Sequence, residues 1–247
     1  MSNPLLTRTW VVPATHPRAP STVQSPEMYL FIAVNEYRPS RVTSGATLLL
    51  THGTSFCKEL WEPLIEYWLR DDSFLNIQAV FAMDAVNHGD SAVLNQGRLG
   101  SSKMKRALQS QTAKDLQTGH RTNESVIPME TFATRDIDTT SPDSARTLKT
   151  TKEQESATYL AGPHPEIIDL LSKSREPHYY VMGGKSSVLN KHCRAVVQDL
   201  AHFHGDVTVV DDGGHLLPMT HPAELGTVLE QFLTKILSST AHTRATL

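Results

Sequence analysis

Cysteine is scarce in this chain. Cys57 and Cys193 are the two among 247 residues, far apart in sequence. That usage fits two reduced, buried thiols in an intracellular protein rather than a disulfide framework. Aromatic residues make up 6% and the net charge is −3, which gives no support for nucleic-acid binding, since that needs a basic face. No apolar run approaches the roughly 20 residues that cross a bilayer, so no membrane span is expected. The opening "MSNPLLTRTWVVPATHPRAP" lacks the apolar core of a signal peptide, so secretory entry is not expected. Neither a metal nor a cofactor is expected. His192, His202 and His204 fall within one helical stretch, where residues two apart point away from each other.

What is present is a grammar of short apolar runs bounded by turn residues. "TWVVPA" and "EMYLFIAVNEY" read as an opening antiparallel pair. "ATLLLTHG" is a continuous apolar run, the pattern of a strand covered on both faces. It leads into "CKELWEPLIEYWL", where Leu60, Trp61, Leu64, Ile65 and Trp68 recur at helical spacing and Pro63 suits a helix start. "NIQAVFAMDAV" is the next strand, and strand–helix–strand implies a right-handed crossover in a parallel sheet. The last third repeats the pattern, with "HYYVMGG" a strand, "HCRAVVQDLAHF" an amphipathic helix and "DVTVVDDGG" a strand. "PAELGTVLEQFLTKIL" closes it as a helix, apolar at Leu225, Val228, Leu229, Phe232, Leu233 and Ile236. The class is α/β, and 247 residues suit a single domain, residues 1–247.

The middle differs. Between Ser101 and Thr158, Ser and Thr outnumber Ile, Leu, Val, Met and Phe by about two to one. Such a composition buries little core, and residues 101–150 are expected to be irregular. "ESVIPME" comes nearest to a strand, with Pro128 interrupting it.

Three motifs carry chemistry. "LLLTHGTSF" puts a His-Gly pair directly after a strand. "MDAVNHGDS" follows the next strand with Asp84, His88, Gly89 and Ser91. "GGHLLPMTHPAEL" precedes the last helix and carries His215, 32 residues from the end. Together, in this order, they resemble the α/β-hydrolase fold family, whose triad runs Ser, then Asp or Glu, then His. The resemblance implies a mostly parallel sheet flanked by helices and His215 as catalytic base. It also implies the backbone amides of Gly53 and Thr54 as oxyanion-hole donors, aimed at the oxygen that becomes negative in the transition state. Gly53 is expected to supply unusual backbone angles. Asp84, His88, Gly89 and Ser91 are expected to fix a turn and a helix rather than do chemistry.

A narrower resemblance lies in "THGTSFCKELWEP", "DAVNHGDSAVLNQGRLG", "LKTTKEQESATYL" and "YYVMGGKSS". These look like fungal α/β-hydrolases of host-selective toxin biosynthesis clusters, some of them peroxisomal. The resemblance implies ester or thioester hydrolysis on a small apolar acyl-type substrate, in a peroxisome or alternatively in the cytoplasm. The terminal "ATL" differs from a peroxisomal SKL at two positions, which makes it a poor address.

The family's nucleophile elbow, G-x-S-x-G, does not occur in the 247 residues. The gap coincides with the polar middle, as if the fold were truncated there. Counting three residues on from Gly184, the triad acid's place falls on Ser187. Ser55, Ser91, Ser187 and Asp212 are the candidates to replace the missing nucleophile or acid. The alternative function is a non-catalytic descendant that binds a small apolar ligand or a partner protein.

Overall fold

The computed structural model describes residues 6–18, 22–40, 44–71, 73, 75–100, 127–128, 149–150, 155 and 165–245. The irregular course expected for 101–150 lies outside these residues except at 127–128 and 149–150, as do the last two residues of the chain. The contacts divide into two compact units. One comprises Met1–Tyr37, Leu48–Glu59 and Val80–Pro163, the other Arg38–Thr47, Leu60–Ala79 and His164–Leu247.

In the first unit, β1 (Leu6–Pro13) and β2 (Phe31–Tyr37) form the expected antiparallel pair, with Trp10 opposite Val34 and Val11 opposite Ala33. β2 is buried along almost its whole length because it has a neighbour on each side. Its second partner is β4 (Ile77–Met83), antiparallel, with Val34 opposite Met83 and Tyr37 opposite Val80. Ala14, Leu30, Ile32, Val34, Met83, Val86 and Leu99 close around this pair as a core. The short helix α2 (Gly89–Leu94) is pinned to β2 by polar contacts. Ser91 Oγ receives the Ala33 amide at 2.8 Å, and the Asn95 side chain exchanges hydrogen bonds with both backbone groups of Phe31. β5 (Ile127–Pro128) is a two-residue strand against Val11 and Trp10. It ends the sheet, where the missing N–H of Pro128 costs no ladder bond.

In the second unit, α1 (Glu62–Trp68) packs on α6 (Pro222–Ala245). Gly226 lies against the Tyr67 ring, which leaves no room for a side chain, and the Tyr67 hydroxyl meets Thr227 Oγ1 at 2.8 Å. α3 (Pro165–Lys173) precedes β6 (His178–Gly183), which pairs in parallel with β7 (Gly205–Val210). α4 (Lys191–His204) connects the two strands, capped by Asn190, whose side chain accepts the Cys193 amide at 2.9 Å. Tyr179 stacks on Phe232 with ring centroids 4.7 Å apart. α5 (Leu217–Thr220) is one turn between the β7 loop and α6.

The strand order is β3-β4-β2-β1-β5 in one sheet and β6-β7 in another, with β3 being Ala46–Thr51. Expected as mostly parallel, the strand pairing is mixed, with β1, β2, β4 and β5 pairing antiparallel and β6 and β7 parallel. β3 differs from its expected double coverage. None of its residues is fully buried, and Leu49 is 55% exposed. The cause is its position at the end of the order, where β4 is its one neighbour among the described residues. Among the described residues, Tyr179–Met182 of β6 pairs with β7.

Candidate active site

His215 follows β7 in the loop between Val210 and α5, and its ring is exposed. Its Nδ1 lies 3.2 Å from Ser186 Oγ. Ser186 sits on the turn after β6, and the two loops are drawn together by backbone contacts that only glycine allows. A Cβ at Gly183 would fall on the carbonyls of Gly213 and Gly214, and one at Gly184 on the Asp211 carbonyl. The Gly184 amide donates to Val210 O at 2.8 Å and the Lys185 amide to Gly213 O at 2.9 Å. Arg194, from α4, clamps the turn from behind. Its guanidinium donates to the carbonyls of Gly183 (3.0 Å), Gly184 (3.2 Å), Ser186 (3.4 Å) and Leu189 (3.1 Å). The residue that meets His215 is Ser186, three positions on from Gly183. Ser187 is exposed beside it. Asp212 is 81% exposed on its side chain and pairs with Lys185 at 2.5 Å, so its charge is spent away from the imidazole.

The turn after β3 carries His52, Gly53, Thr54 and Ser55. His52 Nδ1 donates to Gly53 O at 2.8 Å and its Nε2 accepts the Ala85 amide at 3.1 Å, which fixes a neutral Nδ1–H ring. His88 is held in the same form. Its Nε2 accepts the Ser55 amide at 3.1 Å and its Nδ1 faces Asn87 Oδ1 at 2.9 Å. Burial, with the neighbouring His52 ring, pushes the His88 pKa down to about 4. The left-handed residue of this turn is Ser55, at φ 71°, rather than Gly53, where a Cβ would meet nothing within 4 Å. The unusual backbone angle expected at Gly53 thus belongs two residues on. Among the described residues, no acceptor is paired with the amides of Gly53 and Thr54.

Beneath the turn lies a buried charge cluster. The fully buried Lys58 ammonium reaches Asp84 at 3.0 Å, Glu59 at 2.8 Å and Asp90 at 2.5 Å. Burial disfavours its charge, but Asp84 and Asp90 outweigh that and hold its pKa above the usual lysine range. Burial also works against the Asp84 carboxylate. The Lys58 ammonium and the Lys58 amide nevertheless hold it below the ordinary value. Asp84 also accepts the Asp90 amide at 2.8 Å, capping α2, and Gly89 (φ 51°) lies so close that a Cβ would strike the carboxylate. Cys57, beside this cluster, is pushed up to about 11 by burial and then by Glu59, so its thiol is neutral and unreactive at ordinary pH. Ser91 is fully buried, with its oxygen engaged by Ala33.

Sequence reasoning missed Ser186, Arg194 and Lys58. Ser186 was one residue from the counted position, and the paired glycines before it were the available signal. Lys58 gave none, because a lysine is almost never fully buried without partners, and its partners come from a distant stretch.

No family model matches the chain. A peroxisomal α/β-hydrolase of Saccharomyces cerevisiae, Lpx1, has a solved structure that superposes with a TM-score of 0.68 at 16% identity, covering 94% of this chain and 88% of that one. An esterase from Thermogutta terrifontis superposes with a TM-score of 0.50 at 14% identity, over 92% of this chain and 98% of that chain. The chain has the α/β-hydrolase fold. In sequence it is 35% identical over 96 residues to the Saccharomyces cerevisiae peroxisomal membrane protein LPX1, over 36% of this chain and 25% of that protein. It is 32% identical over 94 residues to a type I acyl-CoA thioesterase of Penicillium brevicompactum, mpaH', over 36% of this chain and 22% of that protein. The matching stretch thus spans about a quarter of these curated relatives.

Proposed function

We propose that this chain is an α/β-hydrolase of fungal secondary metabolism, of the host-selective toxin type, whose reaction class is serine-type hydrolysis of an ester or thioester. One α/β-hydrolase domain spans residues 1–247. Its ligand is a small apolar acyl compound. His215 has the role of base and the Gly53 and Thr54 amides that of oxyanion donors. The observation that carries this reading is the His215 loop. It is fastened through glycine contacts to the turn after β6, and the residue in the acid's place binds His215 Nδ1. The thioesterase stretch in the Penicillium relative and the yeast peroxisomal hydrolase support the substrate class and a peroxisomal location.

A second reading, a non-catalytic descendant that binds its ligand without turning it over, is favoured by one observation: the partner of His215 is a hydroxyl, not a carboxylate. Loss of a catalytic serine costs about a million-fold in a serine hydrolase, so a chain without an elbow falls to background. A screen of acyl thioesters and p-nitrophenyl esters, run beside His215→Ala, separates the two. Turnover that vanishes in the variant supports the hydrolase. Equal background in both, with saturable binding of the acyl compound, supports the binder. Labelling of any serine by a fluorophosphonate probe, lost in His215→Ala, would identify the nucleophile.

A further inference from the structure

The hydrogen bond between Ser186 and His215 has a direction, and the surroundings of Ser186 determine it. Ser186 is 6% exposed, and its Oγ already receives the Leu189 amide at 3.4 Å. That amide occupies one lone pair of the oxygen. The hydroxyl hydrogen still needs an acceptor, because a buried donor left unmatched loses its water without replacement. Among the described residues, the acceptor paired with Ser186 Oγ is His215 Nδ1, at 3.2 Å. The reverse arrangement, Nδ1–H donating to Oγ, would put two N–H donors on one oxygen and leave the hydroxyl hydrogen unplaced.

We infer that Ser186 is a positioning residue that donates to His215 Nδ1 and thereby fixes the neutral ring with its proton on Nε2. The inference rests on His215 being the base of this site. A triad carboxylate can only accept, so it holds the proton on Nδ1 and leaves the Nε2 lone pair free to take a proton from the nucleophile. A hydroxyl can donate, and here it does the opposite. The imidazole keeps its place in the loop but presents N–H where a base must present a lone pair. In a serine protease, changing the triad acid to a donor leaves the geometry intact and costs about 10⁴ in turnover, which is the scale of the effect. Arg194 fastens the carbonyls of the turn and the glycine contacts fix its path, which keeps Ser186 beside the imidazole. The same cation favours a carboxylate in this position, so Ser186→Asp is the variant that should reverse the state.

The test is long-range proton–nitrogen correlation on the ¹⁵N-labelled full chain at alkaline pH, where the imidazole is neutral. Wild type is expected to show His215 with the proton on Nε2, favoured by about tenfold or more over the other form. Ser186→Asp is expected to show the proton on Nδ1, and Ser186→Ala an averaged pattern between the two. A wild-type ring with the proton on Nδ1 would overturn the inference, as would a wild-type pattern retained in Ser186→Ala. Should Ser186→Asp fail to fold, Ser186→Ala decides alone. The measurement does not use activity, so an inactive chain with the proton on Nε2 removes the hydrolase reading and leaves this one standing.

Discussion

The turn after β3 and the loop after β7 both present a histidine, and they are built on different scales. His52 lies in a buried network with His88, Asp84, Lys58 and Asp90, in which each of these histidines has a partner at both ring nitrogens. His215 is exposed and has one hydroxyl at 3.2 Å. The buried carboxylates of the first region are structural, holding Lys58 and capping α2. The comparison separates what the fold requires from what the chemistry requires. In the first region, losing Lys58 strands the buried Asp84 carboxylate. In the second, His215 is exposed and meets a hydroxyl, so no buried charge depends on it.

The largest expected effect is at Lys58. Lys58→Met keeps the length of the stem but leaves the buried Asp84 without its cation, while Asp90 keeps Lys149. Removing one partner of a buried pair costs about 3–5 kcal/mol. Urea unfolding should show that loss. A change of under about 1 kcal/mol would mean that the cluster is solvated rather than sealed, and the contrast between the two regions would weaken.

His88 gives the next largest effect, read through pH. Its folded pKa, about 4, lies below the ordinary 6.5. The unfolded chain therefore binds the proton first, so the stability from a neutral His88 is full above 6.5 and drains as pH falls toward 4. The difference corresponds to about 3 kcal/mol. Asp84 and Asp90, both held below 3.8, add a second loss at still lower pH, as it falls through their folded values. His88→Gln, which keeps an acceptor for the Ser55 amide, should flatten the first stage and leave the second. An unchanged slope between pH 6.5 and 4 would assign it to another group.

The two glycine turns sharpen the comparison in the opposite sense. Gly183→Ala would drive a methyl group into the carbonyls of Gly213 and Gly214, and such overpacking costs about 1–3 kcal/mol. It should also part Ser186 from His215. Gly53→Ala meets nothing within 4 Å and should stay within about 0.5 kcal/mol. Paired denaturation curves decide this. Equal losses at both positions would show that the glycine contacts do not hold the second loop.

Much of this was readable in the sequence because periodicity reports burial. The helical spacing of Leu64, Ile65 and Trp68 and the opening antiparallel pair both emerged as read. β3 misled because a continuous apolar run normally means cover on both faces, and among the described residues this strand has a neighbour on one edge. Ser186 was hidden by a shift of one residue, since spacing along a turn does not show which of two glycines is pressed against the facing loop. The left-handed angle falls on Ser55, whereas the sequence points to Gly53, because glycine is the usual bearer of such an angle. The burial of Lys58 depends on carboxylates from the next strand's turn, a long-range fact that no local pattern records.

The smallest effect is expected at the residue of greatest chemical interest. His215→Ala removes an exposed ring whose one described side-chain partner is Ser186, and the Ser186 hydroxyl then faces the space the ring vacates, where water can replace Nδ1. Gly213, Gly214 and Leu216 keep their backbone contacts, because the loop is held by carbonyls and amides rather than by the imidazole. The change in stability should stay within about 0.5 kcal/mol, as for surface positions elsewhere. Thermal and urea unfolding against wild type measure it directly. A loss of about 2 kcal/mol or more would place His215 among the groups that hold the fold, and its exposed position after β7 would then need a structural explanation rather than a chemical one.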